Sequence, residues 1–229
     1  MSEITLPKRW PAKHPNRLQL YSMATPNGQK VGIALEELGL AYEAHRINIM
    51  NDDQFDPEFI AINPNSKIPA LIDPNGPDGK PIAIMESAAI LIYLAEKAGK
   101  LLPTEPRLRS ETLQWLFFQM GSIGPMLGQF GHFFKFARGK TDDYGVNRYS
   151  QEAKRLLAVL DQRLADHDYL VGDQYTIADI ATYPWIGALD FYEGKEALDY
   201  NSLTNLTQWY DRCAERPAAK RGYKVCSID

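Results

Sequence analysis

The chain has 229 residues, with 25 lysines and arginines against 29 aspartates and glutamates, and a formal net charge of -4. Hydrophobic residues make up 45%, which is ordinary for a folded protein and allows one large domain or two small ones. The acidic balance disfavours a general nucleic-acid binder, which is usually basic. No run approaches the roughly 18 apolar residues that a membrane-spanning helix needs, so no membrane association is expected.

The two ends of the chain bear on its compartment. Residues 1–17 carry charges and three prolines but no apolar stretch, so they do not resemble a signal peptide, and we expect a loose N-terminal arm. Cys213 and Cys226 lack the spacing of a zinc site or a disulfide scaffold, so we interpret them as packing or tail residues and predict no metal. These patterns favour a cytoplasmic protein.

The first predicted elements form a strand–helix–strand unit. Leu18 to Ser22 alternates in the manner of a strand. Apolar residues at helical spacing follow from Gly28, and Gly39 suits a C-terminal cap. Tyr42 to Ile47 predicts the second strand, and such a βαβ unit should have a right-handed crossover.

The next elements complete an α/β domain of the thioredoxin-like type. Residues 48–67 are polar and predict a loop. Ala70 to Asp73 and Ile82 to Met85 predict two strands joined by a turn-rich connection, and Ser87 opens a helix. The order βαβ–ββα is typical of a thioredoxin-like sheet, predicted here over residues 18–98.

The pattern beyond this domain is helical throughout. Residues 99–107 contain two prolines and predict a linker, and residues 108–229 predict an all-α C-terminal domain with a tail. An apolar stripe at helical spacing predicts a long helix there. The stripe consists of Leu156, Leu157, Leu160 and Leu164.

Two local patterns modify the predicted helices. Thr176 suits an N-cap with Asp179 at the reciprocal capping-box position, and a catalytic carboxylate is the alternative for Asp179. Pro125 predicts a kink, and the glycines around it suit a roomy cleft, close core packing or a dimer contact. These glycines are Gly121, Gly124, Gly128 and Gly131.

The string Thr25-Pro26-Asn27-Gly28 lies between the first strand and the first helix. It suits simple capping, with Thr25 or Asn27 as N-cap and Pro26 at the first helical position. The same geometry presents free amides and positive potential to an anion such as a thiolate. Thr25 and Asn27 would add hydrogen-bond donors for that anion.

Two further strings suit either ordinary structure or a ligand. Pro69 directly precedes a strand, where it forms a rigid trans turn or a cis bond that presents the backbone of Ile68 to a ligand. Glu86-Ser87 is either a carboxylate with a serine cap or a site for an amino-acid head group. In the second case Ser87 and the helix amides bind the α-carboxylate, and Glu86 binds the ammonium.

Gln54 and Lys67 suit a second carboxylate, with a solvated loop as the alternative. Taken together, these strings fit an extended ligand with an amino-acid head, a central thiol and a terminal carboxylate. Glutathione has that layout.

A resemblance to the cytosolic glutathione transferases rests on the strings LQLYSMATPNGQK, NPNSKIPAL, MESAAILIYLAEK and YTIADIATYPW. Three others, TPNGQK, QWLFFQMGSIGPMLGQFGHFFKFA and ERPAAKRG, resemble the bacterial nu class, whose members are glutathione-dependent disulfide reductases. The resemblance covers nearly the whole chain. It implies a homodimer that binds reduced or oxidised glutathione.

The resemblance also implies a role for each candidate residue. It places Thr25 and Asn27 beside the glutathione sulfur, Gln54 and Lys67 at the glycyl end, Ile68 and a cis Pro69 at the cysteinyl residue, and Glu86 and Ser87 at the γ-glutamyl head. By region alone, it places His132, Phe133 and Arg148 on the second-substrate side.

Many members of this superfamily activate the thiol with a tyrosine at the end of the first strand, where Tyr21 stands. The TPNG context instead favours Thr25 and Asn27, with Tyr21 packed against the sheet. No cysteine is expected near this loop, so we do not expect the enzyme's own thiol to take part.

The expected function is that of a glutathione-dependent disulfide-bond oxidoreductase with side transferase or peroxidase activity. One alternative is a detoxifying glutathione transferase that conjugates electrophiles. Another is a non-catalytic module that binds glutathione. The expected second substrate is a small disulfide or electrophile.

Overall fold

The computed structural model describes residues 4–140 and 142–227. The chain forms two compact units, one made of Met1–Lys100 together with Pro217–Asp229 and the other made of Leu101–Arg216. The sequence had assigned residues 217–229 to the helical domain, whereas they belong to the first unit. That assignment needs long-range contacts, which no local pattern reveals.

A four-stranded mixed sheet forms the centre of the first unit. Its strands are β1 (Leu18–Ser22), β2 (Tyr42–Arg46), β3 (Ala70–Asp73) and β4 (Ile82–Met85), in the spatial order β2-β1-β3-β4. β1 and β2 are parallel, and the other two pairings are antiparallel. The predicted thioredoxin-like fold is confirmed, with three strands at their predicted bounds.

Two predicted helices of this unit are present, and both end at a glycine. Helix α1 spans Pro26–Leu38 and helix α3 spans Ser87–Ala98. Gly39 and Gly99, with φ of 66° and 65°, terminate them in the left-handed conformation that glycine adopts readily. The predicted cap at Gly39 is therefore confirmed.

The polar stretch predicted as a loop contains a short helix, α2 (Pro57–Ile62). Asp56 caps it by accepting a hydrogen bond from the Glu58 amide, and Pro57 occupies its first turn. The helix buries Phe59 and Ile62. The loop prediction was wrong here because six residues are too few to show a helical period.

The N-terminal arm is held against the sheet over its described residues. Ile4, Leu6 and Trp10 pack against the buried cluster that contains Tyr21. Arg9 adds ion pairs of 2.5 Å to Asp53 and 2.6 Å to Asp56. The expectation of a loose arm is wrong for residues 4–10, because Ile4, Leu6 and Trp10 pack on this buried cluster.

A C-terminal segment, residues 217–227, packs against α1. It contains helix α9 (Pro217–Gly222). A Cβ atom on Gly32 would lie 2.4 Å from the carbonyl oxygen of Gly222, so the two backbones are in direct contact. Arg221 also donates to Glu36 at 2.6 Å.

The second unit is all-helical. Its helices are α4 (Pro106–Phe118), α5 (Gly124–Gly131), α6 (Asp143–Arg163), α7 (Ile177–Tyr192) and α8 (Thr204–Glu215). The predicted leucine stripe is confirmed, because all four leucines are buried. Among the residues described, no helix is long and apolar enough to cross a membrane.

The glycine-rich region remains helical through two π-helical segments. They span Gln119–Ile123 and His132–Phe136, before and after α5. The irregularity predicted at Pro125 is thus a wider helical turn just before it. Trp185 and Tyr192 explain three of the glycines by close packing, namely Gly124, Gly128 and Gly131.

Asp179 is a structural residue at the start of α7. Its carboxylate is buried and accepts hydrogen bonds from the amides of Leu170 and Thr176 and from the indole of Trp209, each at 2.9 Å. The predicted capping box with Thr176 is confirmed. These bonds occupy the carboxylate, so the catalytic alternative has no support.

Candidate functional site

Three of the predicted strings meet at one edge of the sheet. Tyr21 near the end of β1 pairs with Ala70 at the start of β3, and Ala70 pairs with Met85 at the end of β4. The loop after β1, the Ile68-Pro69 bond before β3 and the start of α3 after β4 therefore lie at the same edge.

Helix α1 begins with Thr25 as its N-cap and Pro26 at the first position, as the capping interpretation predicted. The Gly28 amide donates to the Thr25 hydroxyl oxygen at 3.4 Å. Because that oxygen acts as an acceptor, its own hydrogen is left to donate. Thr25 and Asn27 are both half-buried, which gives a ligand access to the first turn. Capping and anion binding are therefore compatible here.

The loop before α1 is held in place from two sides. A Cβ atom on Gly28 would lie 1.9 Å from the Met23 carbonyl oxygen, so a side chain there would displace the loop. The Ala24 amide donates to the Cys226 carbonyl oxygen at 3.1 Å. The C-terminal segment therefore helps to fix the position of Thr25.

Cys226 corrects the expectation that no cysteine lies near this loop. Besides the bond from Ala24, it interacts with the backbone of Ser22. Burial raises the pKa of its thiol to about 11, so the thiol is protonated near neutral pH and is a poor nucleophile. Cys213 is buried in α8, as expected of a packing residue.

Tyr21 is packed within the sheet unit, as predicted. Its side chain is fully buried and stacks on His45 at 4.7 Å between ring centroids. Among the described residues its hydroxyl has no hydrogen-bond partner, and burial raises its pKa far above the ordinary tyrosine value. A hydroxyl enclosed in this way does not reach a bound thiol.

The start of α3 differs in detail from the prediction. Glu86, not Ser87, occupies the N-cap position, with φ of 69° and no capping bond from its side chain. A positive φ is uncommon for a residue with a side chain and recurs at ligand sites. The Glu86 side chain is exposed, whereas Ser87 is buried.

Lys30 is a site residue that the sequence reasoning missed. It is fully buried on α1, and its ammonium donates to the Ser87 hydroxyl oxygen at 3.2 Å. Loss of hydration lowers its pKa to about 7, against a smaller opposing effect of Glu86. Its spacing was the available signal, because Lys30 lies four residues before Ala34 and eight before Leu38 on the apolar stripe.

The loop before β3 is organised by Asn63, which sequence reasoning also missed. Its side-chain amide nitrogen donates to the Lys67 carbonyl oxygen at 2.5 Å, and its backbone carbonyl oxygen accepts from the Ser66 amide at 3.0 Å. Ile68-Pro69 is cis, as the resemblance implies. Lys67 is exposed and Ile68 half-buried.

Gln54 lies in a single-turn helix, Asp53–Phe55, ahead of α2. Its side-chain nitrogen donates to Asp52 at 3.5 Å, and its side-chain oxygen is enclosed with no partner among the described residues. No hydrogen bond joins Gln54 to Lys67 in that part of the chain. Their common role at the glycyl end stays a prediction.

The three candidates in the helical unit lie in one region of it. His132 is exposed, with its ring 5.3 Å from that of Phe133. Phe133 in turn stacks on Tyr149, the neighbour of the exposed Arg148, at 5.3 Å. Their role toward a second substrate stays a prediction.

The donor set of the first unit fits the chemistry of glutathione. Two helix N-termini, the hydroxyls of Thr25 and Ser87 and the cation of Lys67 suit anionic groups, and the exposed carboxylate of Glu86 suits an ammonium. Over residues 4–140 and 142–227, no three His, Cys, Asp or Glu side chains are placed to hold a metal ion.

Comparison with known families and proteins agrees with this chemistry. Residues 24–97 match the N-terminal domain of glutathione S-transferases, and residues 124–217 match the C-terminal domain. Disulfide-bond oxidoreductase YghU of Escherichia coli (strain K12) is 48% identical over 96% of this chain and 77% of its own length. Disulfide-bond oxidoreductase YfcG of the same organism is 44% identical over 88% and 92%.

Solved structures also show similarity to glutathione transferases. A glutathione transferase family member from Pseudomonas fluorescens, with two glutathione bound, has 51% identity and a TM-score of 0.94, over 95% of this chain and 97% of that one. One from Pseudomonas putida, with one glutathione disulfide bound per subunit, has 50% identity and a TM-score of 0.93, over 95% of each chain. The chain therefore belongs to the glutathione transferase family.

Proposed function

We propose that this protein is a glutathione-dependent disulfide-bond oxidoreductase with side transferase and peroxidase activity toward electrophiles. The observation that carries the proposal is the edge of the sheet where the α1 N-terminus, the Ile68-Pro69 bond and the α3 N-terminus meet. The burial of Tyr21 favours Thr25 and Asn27 as the residues beside the sulfur. Similarity to YghU and YfcG favours disulfide reduction.

The first turn of α1 is sufficient to stabilise a thiolate. A thiol of pKa about 8.5 is only a few per cent ionised at pH 7. Lowering that pKa by about two units requires roughly 2.7 kcal/mol. One charge-assisted hydrogen bond contributes about 1.5 to 3 kcal/mol and a helix terminus about 0.3 to 1 kcal/mol. Thr25, Asn27 and the helix amides supply this without a tyrosine.

The remaining residues orient glutathione at its two ends. Glu86 and Ser87 bind the γ-glutamyl head, and the backbone of Ile68 before Pro69 binds the cysteinyl residue. Gln54 and Lys67 bind the glycyl carboxylate. The exposed Lys67 contributes mainly charge, whereas the buried Ser87 contributes a directed hydroxyl.

The reaction balances without a redox-active residue of the protein. The glutathione thiolate attacks one sulfur of a disulfide, its S–S bond breaks, and the other sulfur leaves as a thiolate that takes up a proton. A second glutathione then releases the first sulfur. Two glutathiones become glutathione disulfide, and the substrate becomes two thiols.

We further propose that the protein is a homodimer. We also propose that His132, Phe133 and Arg148 contact the second substrate.

The test is reduction of 2-hydroxyethyl disulfide by glutathione, measured beside aryl-halide conjugation. Asn27→Ala should lower kcat/KM for the disulfide at least about tenfold, because it removes one charge-assisted hydrogen bond. Tyr21→Phe is the control and should retain activity, because the missing hydroxyl is buried and has no hydrogen-bond partner in residues 4–140 and 142–227.

Fast conjugation, negligible disulfide turnover and loss of activity in Tyr21→Phe would instead identify a tyrosine-type detoxifying transferase. Glutathione binding without turnover of either substrate would identify a non-catalytic module. Either result overturns the proposal.

A further inference from the structure

Arg9 joins the N-terminal arm to the loop that carries Gln54. The Arg9 guanidinium forms ion pairs of 2.5 Å to Asp53 and 2.6 Å to Asp56. Its backbone amide donates to the Glu58 carboxylate at 2.8 Å. Arg9 therefore contacts carboxylates on both sides of Gln54, the residue proposed to bind the glycyl end of glutathione.

The two aspartates paired with the guanidinium hold the loop in shape. Asp53 accepts a hydrogen bond from the Asn48 amide at 2.9 Å, which closes the turn between them. Asp56 accepts from the Glu58 amide at 2.8 Å as the N-cap of α2. The aspartate side chains are only 12% and 16% exposed, so Arg9 neutralises two largely buried like charges that contact the same cation.

Gln54 depends on this loop for its orientation, because its own side chain is weakly fixed. Its side-chain nitrogen donates to Asp52 at 3.5 Å, which is longer than an ordinary hydrogen bond. Its side-chain oxygen has no partner among the described residues. The position of Gln54 therefore follows the backbone between the two aspartates that Arg9 bridges.

We propose that Arg9 is a positioning residue for glutathione, which keeps the Gln54 side chain directed toward the glycyl carboxylate by bridging the aspartates on either side of it. The inference rests on the proposed function, because it assumes that Gln54 binds this carboxylate. Arg9 itself contacts no ligand in this role and acts through the loop. The N-terminal arm thereby contributes to ligand affinity, besides covering the buried cluster.

The test compares two ligands by calorimetric titration, S-methylglutathione and S-methyl-γ-glutamylcysteine, of which the second lacks the glycyl residue. Arg9→Met should bind S-methylglutathione about fivefold more weakly, because the two aspartates lose their shared cation and the loop loosens. Its affinity for the second ligand should equal that of wild type, because this ligand has no glycyl carboxylate for Gln54 to bind. A merely structural role of Arg9 would weaken both ligands alike.

Three further variants separate positioning from the loss of a positive charge. Lys8→Met is the matched control, because Lys8 is the neighbouring exposed cation of the same arm, and it should leave both affinities unchanged. Arg9→Lys should retain part of the affinity, because an ammonium lacks the planar fork that pairs with two carboxylates. Gln54→Ala should bind S-methylglutathione about tenfold more weakly, and adding Arg9→Met to it should have no further effect.

Four results overturn the inference alone, namely wild-type affinity in Arg9→Met, equal weakening of both ligands, an equal loss in Lys8→Met, or additive effects of Arg9→Met and Gln54→Ala. If Arg9→Met does not fold, Arg9→Lys decides, because it must weaken S-methylglutathione binding at least about twofold without weakening the other ligand. Failure of the wild-type protein to bind S-methylglutathione would instead overturn the proposed function, and wild-type affinity in Gln54→Ala would overturn its assignment of Gln54.

Discussion

At the scale of single residues, Lys30 shows how burial changes the chemical properties of a side chain. A lysine in a helix is ordinarily solvated, and nothing in its neighbours marks this one except its place on the apolar stripe. Thr25 and Ser87 were predicted as candidates because capping and anion binding need the same residue types. Asn63 was missed because its contribution is to hold the backbone of Lys67, which only the folded loop reveals.

Burial of Lys30 predicts a pH dependence of stability. Its pKa is about 7 in the folded protein against 10.5 ordinarily, so the unfolded chain binds more protons between these values and wild-type stability rises with pH there. The free energy of unfolding of Lys30→Met minus that of wild type should fall by about 3 kcal/mol from pH 7 to pH 10. Urea unfolding at several pH values measures this.

The difference in free energy of unfolding isolates Lys30, because the other titrating groups are common to both proteins. The contributions of Cys226 and the tyrosines therefore cancel. A difference that is constant over this range would mean that Lys30 keeps its ordinary pKa in the folded protein.

At the scale of elements, sequence patterns were most informative where an element has its own period and caps. β1, β3 and β4 have their predicted bounds, and α3 begins at its predicted residue. Helix α2 was missed because it is too short to show a period. The N-terminal arm was misjudged because its burial depends on a sheet face formed by distant residues.

Close packing of α1 on its preceding loop predicts strong sensitivity at Gly28. Gly28→Ala places a Cβ atom 1.9 Å from the Met23 carbonyl oxygen, so the loop that carries Thr25 must move. We expect at least about tenfold lower kcat/KM for disulfide reduction, because misplacement of about 1 Å can cost two orders of magnitude. Gly121→Ala is the control, since a Cβ atom there meets no atom of the described residues within 4 Å. Equal activity of the two variants would contradict the prediction.

The carboxylate of Asp179 predicts a large stability effect in the helical unit. Asp179→Ala leaves the buried donors of Leu170, Thr176 and Trp209 without their acceptor. We expect a loss of about 3 kcal/mol or more in the free energy of unfolding, measured by chemical denaturation. Asp211→Ala on α8 is a control, because this side chain is exposed, and it should change stability by less than about 0.5 kcal/mol. Comparable losses in both variants would count against the capping role.

At the scale of the whole molecule, the division into units was only partly visible in the sequence. Composition and the prolines of residues 99–107 mark the passage from the sheet unit to the helical unit. The return of the C-terminal segment to α1 depends on the contact between Gly32 and Gly222, which are far apart in the chain. Sequence patterns are local, so they cannot assign a terminal helix to a distant partner.

Removal of the C-terminal segment should therefore impair the first unit. A chain that ends at Arg216 loses α9 and the acceptor of the Ala24 amide, Cys226. We expect weaker glutathione binding, measured by calorimetry, and lower stability of the sheet unit. Arg221→Ala is the control, because a partly exposed ion pair contributes at most about 1 kcal/mol. Unchanged binding by the shortened chain would show that the loop holds its position alone.

The sheet unit is discontinuous in sequence, whereas the helical unit, Leu101–Arg216, is continuous. On the ribosome the chain emerges from its N-terminus, and domains tend to fold as soon as they are complete. The helical unit therefore has all its residues available before the unit that begins the chain. The sheet unit, which holds the proposed glutathione site, is therefore completed last. A polypeptide that stops before residue 217 would contain every residue proposed to bind glutathione. It would still lack the C-terminal segment that fixes the loop before α1.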